Sequence, residues 1–424
     1  MEKIKKYLSS HKYLIVLLIF FVIMVPITIS MPAQTDTRAI VTGISIDKDN
    51  DDYVVGLQLI SPQSNISNNE NLQIVEDTGE SFYDCIASLS IKLGKIVGFE
   101  HTNIIILGNK LVGVDIMNVL DYLYRNYKIT MSTILVQCKG NAKKLLETSA
   151  ELNNNSSSSL QNNLGYNNLI VETANTTTMG DFFNEYYSYS GVSLLSVIET
   201  PEDESGNSGS SSGDGGQNQS ENSGNSQSSG GGSGGSGQSP VEPLIKNNGE
   251  GAVFKNGKFV EIISRDLTKG FTWPQEKTIK GLVEIENVKN NYLYNAKTIN
   301  VKVEDSKTKI KSEIKNNELI LNVDIKLYCY VAEIIDNDKK TEKIMQINQE
   351  YLTPDLKEKI KEKISELVTN SLNYSKQNNI DIFGFYDRFY RFNYKDLKKA
   401  LTILGEDYLN HCSIKLNIEV FPFK

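Results

Sequence analysis

Apolar and polar residues alternate with period two in "AIVTGISID" (39–47) and again in "YVVGLQLIS" (53–61), with the polar run "KDNDD" between them. That pattern predicts two strands joined by a turn. In "ESFYDCIASLSIKLGKIVGF" (80–99) the period changes: Phe82, Cys85, Ile86, Leu89, Leu93 and Ile96 recur at spacings of three and four, one face of an amphipathic helix. "NIIILG" is a short continuous apolar run suited to a buried strand, "GVDIMNVLDYLYRN" is helical again, "MSTILVQCKG" is a strand, and "NAKKLLETS" opens a short helix. The predicted order is β-β-α-β-α-β-α over about 115 residues, an α/β layer arrangement. Residues 151–200 are weaker in pattern, with a helix opening at the threonines of "TTTMGDFFNEYYSYSG".

Beyond residue 241 the pattern is strand-rich. "GAVFKNGKFVEII" reads as a hairpin, because Asn256-Gly257 suits a type I′ turn. "IKGLVEIE", "AKTINVKVED", "TKIKSEIKN" and "ELILNVDIKLYCYVAEI" predict further strands in a meandering antiparallel sheet. Thr353-Pro354 marks a helix start, and Leu356, Ile360, Ile364, Leu367, Val368 and Leu372 supply its apolar face. The chain closes on one more alternating strand through Ile414, Leu416, Ile418 and Val420. The expected fold is multi-domain, α+β with a mixed α/β part: an N-terminal α/β domain over 36–200 and a C-terminal unit of antiparallel sheet plus long helix over 242–424.

Two segments stand outside that scheme. Residues 13–31 contain no charge and follow a lead, residues 1–12, with four lysines. About twenty apolar residues match the thickness of a bilayer, and the lysines place the lead in the cytoplasm and the remainder outside it. A single retained transmembrane helix is the reading taken; cleavage after Ser30 or Ala33 stays open. Residues 201–241 are almost wholly Gly, Ser, Asn, Gln and acidic, which reads as a flexible linker. Gly230, Gly232 and Gly235 match G-x-G-x-x-G, but without the flanking strand and helix that a phosphate cradle needs.

The net charge is −8; the first twelve residues contribute +3, so the rest stands at −11. Such a surface repels phosphate backbones and anionic lipid heads, which argues against nucleic acid as a partner. The chemistry is sparse. The four cysteines, Cys85, Cys138, Cys329 and Cys412, lie in apolar-patterned segments without C-x-x-C spacing and read as buried free thiols. No zinc-hydrolase spacing and no G-x-S-x-G elbow is present, so no catalytic, metal or cofactor site is assigned. His101 reads as a hydrogen-bonded cap of the "NIIILG" strand before it reads as a base. "IDKDNDD" (46–52) lacks the Gly and Glu of a calcium loop and reads as a solvated turn. "NNIDIFGFYDRFYRF" packs six aromatic residues into 383–392, either to close a core or to present a protein-contact patch.

Four blocks in order, "RAIVTGISIDKDNDDYVVGLQLISP", "GESFYDCIASLSIKLGKIVGFEHTNIIILGNKLVGVDIMNVLDYLYRN", "GAVFKNGKFVEII" and "NIDIFGF", resemble the landmarks of the Ger(x)C family. These are the C subunits of bacterial spore nutrient-germinant receptors. The resemblance runs from about residue 38 to the end, interrupted at the linker. It implies a non-enzymatic protein on the outer face of the spore inner membrane, without cofactors, assembled with two polytopic membrane subunits. Family members usually carry a lipid-bearing cysteine after the signal peptide. Here no cysteine precedes Cys85, and the retained helix takes over as anchor. Family members also usually carry a tryptophan in the helix before the last strand; here Trp273 is the sole tryptophan. Asp381, Gly384 and Phe385 are the expected partner interface. The alternative reading is an envelope-anchored solute-binding or scaffold protein unrelated to spores.

Overall fold

The computed structural model describes residues 38–60, 72–127, 129–152, 176–200, 247–276, 279–290, 294–336 and 352–423, together with the single residue 20. The basic lead, the uncharged segment 13–31 (residue 20 apart) and the Gly/Ser-rich segment 201–241 lie outside these residues. Among the described residues no helix is long and apolar enough to cross a membrane.

The architecture is mixed α+β with two sheets. The first holds nine strands in the order β3-β2-β1-β5-β6-β7-β8-β9, with β4 paired to β1. β1 (Arg38–Asp49) and β2 (Asp52–Ile60) form the expected hairpin, and "IDKDNDD" is its turn, with Asn50 at φ 56°. β3 (Leu72–Gly79) adds an outer strand. Helix α1 (Phe82–Leu93) starts at Ser81, whose side chain accepts from Asp84 N, and stops at Gly94 in the left-handed conformation. Ile96, expected on the helix face, therefore falls in β4 (Ile96–Gly98), and it is 65% exposed. β5 (Ile104–Leu107), α2 (Met117–Tyr127), β6 (Ile134–Lys139) and α3 (Ala142–Leu152) follow the predicted order. α4 (Met179–Tyr186) opens on a capping box between Thr178 and Asp181, the threonine start that the pattern suggested.

β7 (Val192–Glu199) was not anticipated. It is buried on both faces, so "VSLLSVIE" shows no alternation to read. Its partner is β8 (Gly251–Lys255), joined antiparallel from Val192↔Lys255 to Ser196↔Gly251, and β8 pairs in turn with β9 (Lys258–Ile263). The hairpin grouped by sequence with the C-terminal unit thus extends the N-terminal sheet and covers the edge of β7.

The second sheet follows α5 (Arg265–Thr272) and has the order β10-β11-β12-β13. β10 (Gly281–Asn290), β11 (Tyr294–Lys315) and β12 (Glu318–Asp336) form the antiparallel meander. β11 is one strand of 22 residues where the sequence reads as two, and register shifts near Thr298, Val301 and Asp305 let it bend without losing its partner. β13 (Cys412–Pro422) lies parallel to β12, because the intervening helices carry the chain back to the same end. α6 (Pro354–Asn378) lies over this sheet. Thr353 caps it, all six predicted face residues are buried, and Asn379 ends it in the left-handed conformation. α7 (Phe385–Phe392), α8 (Tyr394–Leu404) and a 3-10 turn (Gly405–His411) complete the crossover.

Candidate functional site

The site grows from the turn between α6 and α7. Asp381 is 4% exposed, and its carboxylate accepts from Phe385 N and Tyr386 N at 2.9 Å each and from the Tyr408 hydroxyl at 3.1 Å. Gly384, at φ 66°, precedes α7 without a side chain, so Asp381 reaches forward to satisfy the first two free N–H groups of the helix. Burial raises the Asp381 carboxyl above its ordinary value, outweighing the three donors that act in the opposite direction. The Tyr408 hydroxyl is also raised, first by burial and then by the Asp381 charge.

α7 divides its rings between two tasks. Phe385 and Phe389 are fully buried and stack on each other with centroids 6.5 Å apart. Tyr386 and Tyr390 turn the other way. Over them lies Tyr189, from the loop that joins α4 to β7, with centroids 4.8 and 4.5 Å away. A bond with Tyr390 pushes the Tyr189 hydroxyl up to about 12. Asp387 accepts from Tyr189 N at 2.9 Å and Ser190 N at 3.2 Å. Lys255 Nζ donates to Asn379 O at 3.0 Å, and the Tyr374 hydroxyl to Glu261 at 2.6 Å. These contacts join the first sheet to α6 and α7.

Beside them, Arg388 makes a two-point pair with Glu276, both bonds 3.0 Å, donates to Ile310 O at 2.6 Å and lies 5.1 Å from the Phe392 ring centroid. The pair holds the Glu276 carboxyl below its usual range. A cleft of about 490 Å³ opens between the sheets, lined by Thr177, Asp181 and Leu194 on one side and Phe383, Asp387 and Arg391 on the other.

The expected interface residues are placed unevenly. Asp381 and Phe385 are interior, and Gly384 lies on the cleft wall. The aromatic run therefore both closes the core and presents rings. Tyr189, Asp387 and Tyr408 were not singled out from sequence; "YYSYSG" was the visible sign of the first. His101 is exposed in the turn before β5, so it does not cap that strand. Thr102 does: its hydroxyl donates to Val41 O at 3.3 Å, and Thr133 donates to Thr102 O at 2.9 Å. All four cysteines are buried and free, and burial raises every thiol: Cys85 to about 11, Cys138 and Cys329 to about 12, and Cys412 as well. Among the described residues no cluster of His, Cys, Asp and Glu is arranged to hold a metal ion.

This fold and site define a two-sheet α+β protein organised around an aromatic junction. The comparisons with known proteins agree with the sequence blocks: a family model for the spore germination protein N-terminal domain matches residues 33–200, and one described as spore germination B3/GerAC-like, C-terminal, matches 249–421. The chain belongs to the Ger(x)C family, the C subunits of bacterial spore nutrient-germinant receptors. Among solved structures, the crystal structure of the GerBC protein is similar at 16% identity, with 90% of this chain and 97% of that chain covered and a TM-score of 0.49. No curated protein matches the chain.

Proposed function

We propose that this chain is a membrane-anchored, non-catalytic subunit of a spore nutrient-germinant receptor, held by a helix over 13–31 and facing outward from the spore inner membrane. It assembles with polytopic membrane subunits and couples nutrient sensing by the complex to germination. The observation that carries this reading is the pair of family matches, in order and spanning the chain on either side of the Gly/Ser-rich segment. The nineteen uncharged residues after a lysine-rich lead support the anchor. Thiols kept protonated by burial and a carboxylate occupied by helix N–H groups support a structural use of these side chains rather than chemistry. Domain 36–200 and domain 242–424 act together with linker 201–241 between them in sequence. Asp381, Gly384 and Phe385 serve the partner interface from behind, by fixing α7.

The test is crosslinking and affinity purification of the tagged chain from spore membranes. Polytopic receptor subunits recovered in stoichiometric amounts, and lost when residues 242–424 are deleted, are the expected result. Absence of the chain from spores, or recovery without any membrane protein, would leave an envelope scaffold instead.

A further inference from the structure

Beyond the junction, α7 and α8 present an exposed face whose edge at Arg391 and Phe392 also lines the cleft. From Tyr390 to Leu404 the chain carries Arg391, Lys395, Lys398 and Lys399 against one acid, Asp396, a local charge of +3 in a chain of −8. All four cations are exposed, and Asp396 lies 3.4 Å from Lys399. Among them stand Phe392, 65% exposed, and Tyr394, 50% exposed. Tyr394 packs on Tyr390 with centroids 5.1 Å apart, and Tyr390 carries Tyr189. Large rings set among cations suit a lipid headgroup layer, where rings enter the interface and cations meet phosphates.

Position along the sheet is a second, independent observation. β1, β5, β6 and β7 are parallel, so their first residues share one end. Gly43 is level with Ile104, Ile104 with Ile134, and Val136 with Ser196. Arg38 and Val192 therefore project past that level at the same end, and the Tyr189 loop directly precedes Val192. Ile96, exposed and paired with Arg38, lies there too. Arg38 is where the chain arrives from the uncharged segment, and the seven residue steps from Met31 span at most about 25 Å. The rings of Tyr189, Tyr390 and Tyr394 thus lie toward the end that an anchor at 13–31 would hold near the bilayer, and Lys395 follows them in the chain.

We propose that the α7–α8 face is a membrane-docking surface for anionic phospholipid, with Phe392 and Tyr394 in the interface and Lys395, Lys398 and Lys399 against the phosphates. This rests on the anchored reading above. Docking fixes the junction, and the cleft behind it, at a set height beside any partner in the same membrane.

The test places the full chain in nanodiscs of phosphatidylcholine and phosphatidylglycerol with brominated acyl chains as quencher. Phe392→Trp is the first reporter and Tyr394→Trp the second, so neither depends on one variant folding. Trp273, 1% exposed, gives the background. Tyr83→Trp is the exposed control: Tyr83 is 58% exposed and follows β3, whose last residue pairs with Tyr53 at the opposite end of the sheet. The expected result is about a twofold loss of reporter emission over the control, relieved by replacing the three lysines with Glu and by high salt. Reporters no more quenched than the control, with the chain still in the nanodisc, overturn docking and leave the anchor standing. A blue-shifted but unquenched reporter assigns the face to protein and also overturns docking. A chain that alkaline washing strips from vesicles removes the anchored reading and docking with it.

Discussion

Asp381 has four dealings at once: with the solvent it has lost, with two helix N–H groups and with Tyr408. Replacing it by alanine leaves those three donors without their acceptor in the interior, and Asp381→Ala should lower stability by about 2–4 kcal/mol, read as a fall in the urea midpoint. The pH dependence has a definite sign. The folded carboxyl is raised above its ordinary 3.8, so between those two values the folded chain binds more protons than the unfolded one, and this group's contribution falls as pH rises through the window. The cost of Asp381→Ala should be greatest below about pH 4 and shrink toward neutral pH; a cost that grows with pH would contradict the burial argument. Little of this is legible in "NNIDIFGF". An aspartate among asparagines reads as surface, and Tyr408, which helps bury it, comes 27 residues later. The cysteines are the opposite case: each stands inside its own apolar pattern, and each is buried.

Elements meet closely where α5 crosses α6. A Cβ on Gly270 would collide with the Leu367 carbonyl and the Ser371 hydroxyl, and that hydroxyl already donates to Leu267 O at 2.8 Å across the same contact. Backbone cannot give way as a flexible side chain can, so Gly270→Ala should cost about 2–3 kcal/mol. Gly384→Ala is the comparison: its Cβ meets nothing within 4 Å, and only the left-handed backbone resists it, at about 1 kcal/mol. Equal urea midpoints for the two variants would show that the crossing tolerates separation. The helices themselves were legible because their stripes and caps are local; Thr353 with Pro354, and Thr178 with Asp181, can be read within one turn. The strands were legible where one face is wet, or where a short continuous apolar run stands between turn residues, as in β5 and β6. β7 is buried on both faces, and the parallel placing of β13 depends on a crossover that no strand pattern encodes.

At the scale of the whole molecule, the segment after residue 200 joins neighbouring strands rather than distant bodies. β7 enters it and β8 leaves it, Ser196 is paired with Gly251, and Asn248 Nδ2 donates to Glu199 at 3.1 Å. Whatever the segment does, it does not set the distance between the sheets, because its two ends meet at one place. The second half of the chain also supplies β8 and β9 to the sheet that the first half begins, and α7 holds the Tyr189 loop of that first half. Chain continuity through 201–246 is therefore dispensable once folding is complete. A site-specific protease sequence inserted after Gly230 should yield two fragments that co-elute as one species in size-exclusion chromatography, with a urea midpoint that falls on cleavage and rises with protein concentration, because the unfolded fragments are no longer tethered. Both halves remain joined by the β7–β8 ladder and by Asp387 on the Tyr189 and Ser190 amides. Fragments that separate in native buffer would mean that the junction is too weak to transmit anything between the sheets. Fragments that stay together would make α7 the path by which a partner at one sheet acts on the other.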